Sequence, residues 1–293
     1  MIPPSFDYIR CHTVDEALAA LARHGGDAKI LAGGHSLVPV LKMRLNDPAV
    51  LVDLGGVSEL VGVEDRGAEL YVGAMTTYQD AIASALVQAY CPVLAQAAET
   101  VGDPQVRHRG TIGGGLAHAD PAGDLGAVAV ALRCDMVIAG PAGERRVSAD
   151  DFFVDYFETE VEEDELLVGL VVPKPQALAG AWYEKFNRAA HMWSIVGVCA
   201  AVERAEGRVV SARVALTNMA STPVRATATE RALVGLDASN VSAATELADR
   251  GTNPTSDANA QADYRRHLAR VLTHRAVVKA MQGPLESTAG EPW

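Results

Sequence analysis

The chain has 293 residues, of which 49% are hydrophobic, and carries a formal net charge of −12 at pH 7. A chain of this length and composition can bury a core shared by two or three packed units. The acidic balance leaves no basic face for phosphate backbones, so nucleic acid is excluded as an expected partner and a small molecule or another protein is favoured.

The N-terminus and the cysteines indicate the compartment. The opening MIPPSFDYIR has neither the basic nor the apolar region of a signal peptide, and no apolar run is long enough to span a membrane, so we expect a cytoplasmic protein without a membrane span. The cysteines form no C-x-x-C pair, which argues against an iron–sulfur cluster, a zinc site or a disulfide framework. We interpret them as buried free thiols: Cys11, Cys91, Cys134 and Cys199.

The first half of the chain alternates between helix and strand signals. Thr13 and Glu16 have the spacing of a capping box and open a helix that ends at Gly25 and Gly26. AKIL, VLVDLGG at 50–56 and LYVGAMT at 70–76 are short β-rich runs. Thr76 and Gln79 are predicted to cap the next helix, and Pro92 suits the first turn of another.

The second half begins with an alanine-rich helix, DLGAVAVAL, and two strands, MVIAG and LLVGLVVP. The acidic segment 158–165 is predicted to be a solvated loop. From about residue 178 the pattern changes to long strands, with a hairpin around Glu206 and Gly207, and closes on an amphipathic helix, ADYRRHLARVLTHRAVVKAM.

Two glycine stretches follow apolar runs, ILAGGHSL at 30–37 and TIGGGLAHADPAGDL at 111–125. Glycine can adopt positive φ, which we expect at Gly33 and Gly113, and its bare backbone lets N–H groups converge on an anion without a cationic side chain. His118 occupies the position of the third glycine of a dinucleotide fingerprint, and no P-loop occurs, so a Rossmann domain and a P-loop are both disfavoured. Ordinary tight turns are the alternative.

AGGHS at 32–36 and TIGG at 111–114, followed by AHADPAGDL, closely resemble the two FAD pyrophosphate loops of the medium, flavin-carrying subunit of molybdenum hydroxylases. That family includes aerobic carbon monoxide dehydrogenase and xanthine dehydrogenase. The resemblance implies an α+β fold of the vanillyl-alcohol-oxidase (PCMH) type, with subdomains at about 1–56 and 57–177. It further implies a C-terminal α+β domain at 178–283, like that of the carbon monoxide dehydrogenase flavoprotein, and a tail at 284–293.

The resemblance also assigns residues to the cofactor. The backbone of both glycine stretches would line the pyrophosphate, Asp124 would lie near the ribityl or ribose hydroxyls, and Leu167 would contact the ring system. Lys185 would face the flavin C2 carbonyl, where a cation stabilises the charge that builds up on reduction. The implied set is Ala32, Gly33, Gly34, His35, Ser36, Leu37, Thr111, Ile112, Gly113, Gly114, Asp124, Leu167 and Lys185.

Plainer interpretations stand beside these. Lys185 would otherwise be a surface lysine on an edge strand, and Trp193 either flanks the ring system or fills a domain interface. His35 and His118 have no second ligand at a recognisable spacing, so we expect no metal site. Asp120 and Asp124 could form an acid–base pair, but Pro121 and Gly123 between them favour turn and cap roles. Gly115 stands where many relatives carry asparagine or serine, and His191 where they often carry aspartate.

The implied function is that of an FAD-binding electron-transfer subunit. In the family, substrate is oxidised at a molybdopterin cofactor on a large partner chain, and electrons pass through 2Fe–2S clusters on a small partner chain to FAD. From FAD they reach an external acceptor such as a quinone; oxygen and a nicotinamide cofactor also serve as acceptors among relatives, so the acceptor stays open. The family assembles as a dimer of heterotrimers, and any membrane association would come through partners.

Within the family, KFNR and FFVDYFET look most like the medium chain of carbon monoxide dehydrogenase. The alternatives are the flavin subunit of an aldehyde or N-heterocycle hydroxylase, a stand-alone FAD-dependent alcohol oxidase, and a scaffold that has lost its flavin.

Overall fold

The computed structural model describes residues 2–174 and 179–283. The expected boundary between residues 177 and 178, and the expected tail at 284–293, lie outside these residues. No helix of the described part is long and apolar enough to cross a membrane.

The first sheet has three parallel strands, in the order β1, β3, β2. One helix precedes the first glycine stretch and another follows it, and these helices connect the three strands. The elements are β1 (Asp7–Arg10), α1 (Val14–His24), β2 (Ala28–Leu31), α2 (Leu37–Lys42) and β3 (Val50–Asp53).

The second sheet has five antiparallel strands in the order β4, β5, β10, β6, β7, and a small hairpin of β8 and β9 stands apart from it. Its strands are β4 (Val63–Asp65), β5 (Glu69–Gly73), β6 (Asp135–Gly140), β7 (Gly143–Ser148), β8 (Phe153–Asp155), β9 (Glu158–Thr159) and β10 (Leu166–Pro173). The helices between them are α3 (Tyr78–Ala83), α4 (Ala85–Tyr90), α5 (Pro92–Glu99), α6 (Pro104–Arg107), α7 (Ile112–His118), α8 (Asp124–Ala131) and α9 (Ala149–Phe152).

The third sheet is a four-stranded antiparallel sheet in the order β11, β12, β13, β14, covered by a long closing helix. The elements are β11 (Ala179–Phe186), β12 (Val196–Ala205), β13 (Arg208–Thr217), β14 (Val224–Arg225), α10 (Thr227–Leu233), α11 (Ser242–Thr245) and α12 (Ala262–Ala280). The mixed α+β architecture agrees with the predicted fold class.

Strand β10 is the centre of the molecule, because it is buried on both faces. Leu166 and Val168 belong to a core shared with the first sheet and α1. Leu167 and Leu170 belong to a second core, formed with the helices between α3 and α8. A strand covered on both sides reads as a continuous apolar run, which is why LLVGLVVP shows no alternation.

Several predicted local features are confirmed. The Thr13 side chain accepts a hydrogen bond from the Glu16 N–H, and the Glu16 side chain accepts one from the His12 N–H. The predicted hairpin joins β12 and β13, and its turn residues Glu206 and Gly207 have φ of 52° and 76°. All four cysteines are buried and free.

Two local predictions are wrong. The cap of α3 is Thr77, not Thr76, since the Thr77 side chain accepts from the Asp80 N–H at 3.1 Å. Thr76 instead exchanges hydrogen bonds with the backbone of Gly62. The acidic segment 158–165 is not simply a solvated loop, because it contributes β9, and the Glu165 carboxylate is held by Arg145 at 2.7 Å.

Candidate functional site

The two glycine stretches touch each other. The first lies between β2 and α2, and the second forms the start of α7. A Cβ placed on Gly33 would lie 2.2 Å from the carbonyl oxygen of Arg109, and one on Gly114 would lie 3.4 Å from the Cβ of Ala32. Elements nearly 80 residues apart in sequence therefore build one backbone-lined site.

The expected positive φ at Gly33 and Gly113 is wrong. Gly34 is the residue of the first stretch in the left-handed region, with a φ of 80°. Gly33 and Gly113 are required for close approach instead, because a Cβ on Gly113 would lie 2.4 Å from the Cβ of Ala74. Such a distance is far inside van der Waals contact, so the neighbouring backbone would have to move.

The two stretches differ in which N–H groups they offer. Ile112 donates to the Thr76 carbonyl and Gly113 to the Ala74 carbonyl, each at 2.9 Å, and Gly114 donates to the Thr111 hydroxyl at 3.1 Å. The N–H groups of residues 33–37 make no hydrogen bond to any part of the chain that the structure describes. The run of unsatisfied donors at the site therefore comes from the first stretch, and in the second stretch the Thr111 N–H also makes no hydrogen bond within the described residues.

Side chains at the edge of this site are partly open to solvent. His35 is exposed, Ser36 precedes α2 without capping it, and Leu37 begins that helix.

Within residues 2–174 and 179–283 no three potential ligands are arranged to hold a metal ion. His118 packs against Phe157 with ring centroids 5.3 Å apart, and burial lowers the pKa of its imidazole.

A buried ion pair lies where α8 meets β11. The Lys185 ammonium is 2.8 Å from Asp124 Oδ2, and the two side chains are 5% and 2% exposed. Lys185 also donates to the Thr100 carbonyl at 3.0 Å. The interpretation of Lys185 as a surface residue is therefore wrong, although β11 is an edge strand.

Hydroxyl groups complete the shell around Asp124. Its Oδ1 accepts hydrogen bonds from Tyr183 at 2.6 Å and from Ser194 at 2.5 Å. Burial, and then the negative charge of Asp124, raise the pKa of the Tyr183 phenol, so Tyr183 remains a donor at neutral pH. A carboxylate with three donors on its two oxygens is well satisfied in a low-dielectric site.

Other predicted residues have structural roles in this arrangement. Leu167 is a core side chain of β10 and is 5% exposed. Ile112 is fully buried below the first turn of α7. Asp120 accepts from the Ala122 N–H at 2.8 Å, as a turn residue does, and the structure does not pair it with Asp124.

Three side chains of the site were missed in the sequence. Tyr183 could have been found, because it lies two residues before Lys185 on the same face of a strand. Ser194 follows an irregular loop and gave no signal. Tyr78 places its hydroxyl 2.2 Å from where a Cβ of Gly115 would be, so the space of the asparagine or serine side chain expected there is filled by a tyrosine hydroxyl.

An aromatic cleft of about 470 Å³ lies beyond the C-terminal end of α7. Its lining includes residues 120–122, the turn between β8 and β9, Arg188 and residues 191–195. Trp193 is 53% exposed in this cleft. Ser194 joins the cleft to the ion pair through its bond to Asp124.

Comparison with known proteins identifies the family of this chain. Residues 4–175 match the family model of the FAD binding domain in molybdopterin dehydrogenase, and residues 181–280 match the CO dehydrogenase flavoprotein C-terminal domain. The carbon monoxide dehydrogenase medium chain of Hydrogenophaga pseudoflava is 42% identical over 94% of this chain and 97% of its own length.

Solved structures agree in fold. A structure of carbon monoxide dehydrogenase from Hydrogenophaga pseudoflava superimposes with a TM-score of 0.93 at 42% identity, over 96% of this chain and 99% of that one. Quinoline 2-oxidoreductase from Pseudomonas putida 86 superimposes with a TM-score of 0.91 at 36% identity, also over 96% and 99%. The chain therefore belongs to the FAD-binding, medium-subunit family of the molybdopterin dehydrogenases, and it is an oxidoreductase subunit.

Proposed function

We propose that this chain holds FAD along α7, with the pyrophosphate at the two glycine stretches and the ring system toward Lys185 and the aromatic cleft. The observation that carries the proposal is the run of N–H groups at residues 33–37, which have no acceptor in the described residues and belong to a stretch that touches residues 109–110 just before α7. Converging backbone donors suit a pyrophosphate, and the missing Cβ of Gly33 leaves the close approach that the site needs.

The length of α7 agrees with an extended cofactor. Its seven residues lie between Thr111, where the two glycine stretches meet, and the cleft at residues 120–122. At 1.5 Å per residue the helix spans about 10 Å, which suits the path from a pyrophosphate to a flavin ring. The proposed contacts remain the set derived from the family resemblance. Within residues 111–114, Ile112 and Gly113 supply shape rather than free donors, because their N–H groups are already bonded within the protein.

Lys185 and Asp124 are proposed to act as one unit. FAD, when bound, supplies both one-electron and two-electron chemistry. Asp124 and the Thr100 carbonyl hold the Lys185 ammonium in one position, so its charge is fixed before the flavin is reduced. A preorganised cation beside the flavin C2 carbonyl favours the reduced form. Ser194 and Tyr183 keep Asp124 from rotating away.

We further propose that the chain works in a complex. Electrons would arrive from 2Fe–2S clusters of a small partner chain, after oxidation of substrate at the molybdopterin cofactor of a large partner chain, and leave through FAD to an acceptor such as a quinone. A dimer of such heterotrimers is the expected assembly, and the domain boundaries proposed from the sequence, 1–177 and 178–283, remain part of this proposal.

The proposed substrate of the complex is carbon monoxide. Support comes from the 42% identity with a carbon monoxide dehydrogenase medium chain, against 36% with a quinoline 2-oxidoreductase. An N-heterocycle or an aldehyde is the second candidate, because a chain of this kind does not itself select the substrate.

The test compares the flavin content of the natively purified complex with that of a Gly33→Ala variant. The added methyl group collides with the Arg109 carbonyl and pushes the two stretches apart, so we expect most of the FAD to be lost. Chromatography of the flavin released by acid measures it. Gly26→Ala is the matched control, since a Cβ there meets only the Glu163 side chain at 3.4 Å.

Each outcome has a clear meaning. FAD in the wild-type complex together with an iron–sulfur chain and a molybdenum chain supports the proposal. Full FAD content in Gly33→Ala would refute the pyrophosphate site. A complex without flavin would make the chain a scaffold, and a solitary FAD-bearing chain that oxidises an alcohol would make it an oxidase.

A further inference from the structure

The turn between β8 and β9 is an unusual surface feature. Tyr156 and Phe157 form its tip and are 47% and 59% exposed. Phe157 has a φ of 58°, which a bulky residue rarely adopts. Both side chains line the aromatic cleft, as does Trp193.

The strained backbone of the cleft is concentrated around this turn. Ala119 and Asn218 also have left-handed φ, of 48° and 61°. The Phe157 N–H donates to the Ala119 carbonyl at 3.2 Å, and the Asn218 N–H donates to the Pro121 carbonyl at 2.8 Å. Non-glycine residues in this region persist where the surrounding structure holds them, and they cluster at binding sites.

The charges of the cleft favour an uncharged ligand. Arg265 is buried and closed in an ion pair with Asp257 at 2.7 Å. Arg188 remains as a cation and Asp120 as an anion, so the lining gives no excess of positive charge for a pyrophosphate. In the described residues, the indole N–H of Trp193 makes no hydrogen bond and can donate to a carbonyl oxygen.

We propose that the Tyr156–Phe157 turn and Trp193 form the docking site of the electron acceptor, and that this acceptor is a quinone. The inference rests on the proposed function, which places the flavin ring toward Lys185. Ser194 lines the cleft and bonds to Asp124, so the cleft lies next to the Lys185–Asp124 pair. A planar quinone ring can stack on the aromatic side chains that line the cleft. The quinone takes two electrons and two protons from the reduced flavin, so both carbonyl oxygens become hydroxyls and the flavin returns to its oxidised form.

The test uses the complete complex carrying Tyr156→Leu and Phe157→Leu together, with menadione as the quinone. Loss of aromatic stacking should weaken menadione binding to the oxidised complex about tenfold, as measured by equilibrium dialysis, and raise its KM similarly. FAD content and the turnover with ferricyanide, a small anion that needs no aromatic site, should not change.

Two further variants make the result decisive. Tyr156→Leu alone retains the contact of Phe157 with His118 and serves if the double variant does not fold. Tyr90→Leu replaces an exposed tyrosine outside the cleft and should have no effect.

Three results would overturn the inference. These are unchanged menadione binding, an equal loss with menadione and ferricyanide, or loss of FAD from the variants, which would assign the turn to the cofactor. Absence of FAD from the wild-type complex would instead refute the proposed function, so the two failures are distinguishable.

Discussion

The ammonium group of Lys185 is buried and bonds to protein oxygen atoms instead of water. Its ammonium contacts Asp124 and the Thr100 carbonyl in a site that is nearly closed to solvent. The net contribution of such a pair to stability is small, because both charges lose their hydration. Removing one partner is different, since the other charge remains buried without compensation.

Lys185→Met should therefore lower the free energy of unfolding by about 3–5 kcal/mol, while the double variant Lys185→Met/Asp124→Asn should recover much of that loss. Urea denaturation measures both. The remaining FAD should also have a more negative reduction potential in Lys185→Met, because a fixed positive charge is lost. Equal stability of the single and double variants would contradict the argument, and an unchanged potential would remove Lys185 from the electron-transfer mechanism.

At the scale of elements, strands and helices with a clear period were predictable. The capping box of α1 and the hairpin at Glu206 are local features, so neighbouring residues determine them. Helix α7 was not predictable, because three consecutive glycines disfavour a helix and suggest a turn. It forms because Thr111 caps it and because Ile112 and Leu116 pack in the core below.

The candidate site shows the same division. The glycine stretches could be recognised in the sequence. Their contact could not be predicted, because it depends on the packing of two sheets and not on any local sequence pattern. The Lys185–Asp124 pair joins residues 61 positions apart, and the shell that Ser194 completes comes from an irregular loop. Burial on both sides of β10 was visible only as an apolar run.

The β12–β13 hairpin allows a prediction at this scale. Glu206 has a φ of 52°, where asparagine is better accommodated than glutamate. Glu206→Asn should raise the stability by up to about 1 kcal/mol, as measured by the urea midpoint. Glu206→Ala keeps the same strained φ without the amide and should give no gain. A gain from alanine as large as that from asparagine would show that loss of the charge is responsible.

For the whole molecule, the second core crosses the proposed domain boundary. Tyr183, Cys199 and Ala215 of the third sheet pack into the cluster that contains α5 and α8. Arg213 reinforces the junction, because its guanidinium donates to the Val130 carbonyl and to Asp150, each at 2.7 Å. The two halves are therefore parts of one packed structure rather than independent modules.

Residues 1–177 and 178–283 expressed separately should each fail to unfold cooperatively, since each exposes its side of the shared core. Coexpression should restore a complex that binds FAD. Circular dichroism during thermal unfolding measures cooperativity, and the intact chain is the control. A sharp, independent transition in either half would show that the shared core contributes little.

The hydrogen bonds of Ile112 and Gly113 to the strand end at Ala74 and Thr76 have a further consequence. The second glycine stretch is anchored by the protein itself, so its conformational entropy is already lost when the chain folds. Among the described residues of the two stretches, a run of free backbone donors that can order around a ligand occurs at residues 33–37. The affinity for the cofactor should therefore respond to the rigidity of that one short loop, and a change that stiffens it in the bound shape would tighten binding without adding a contact.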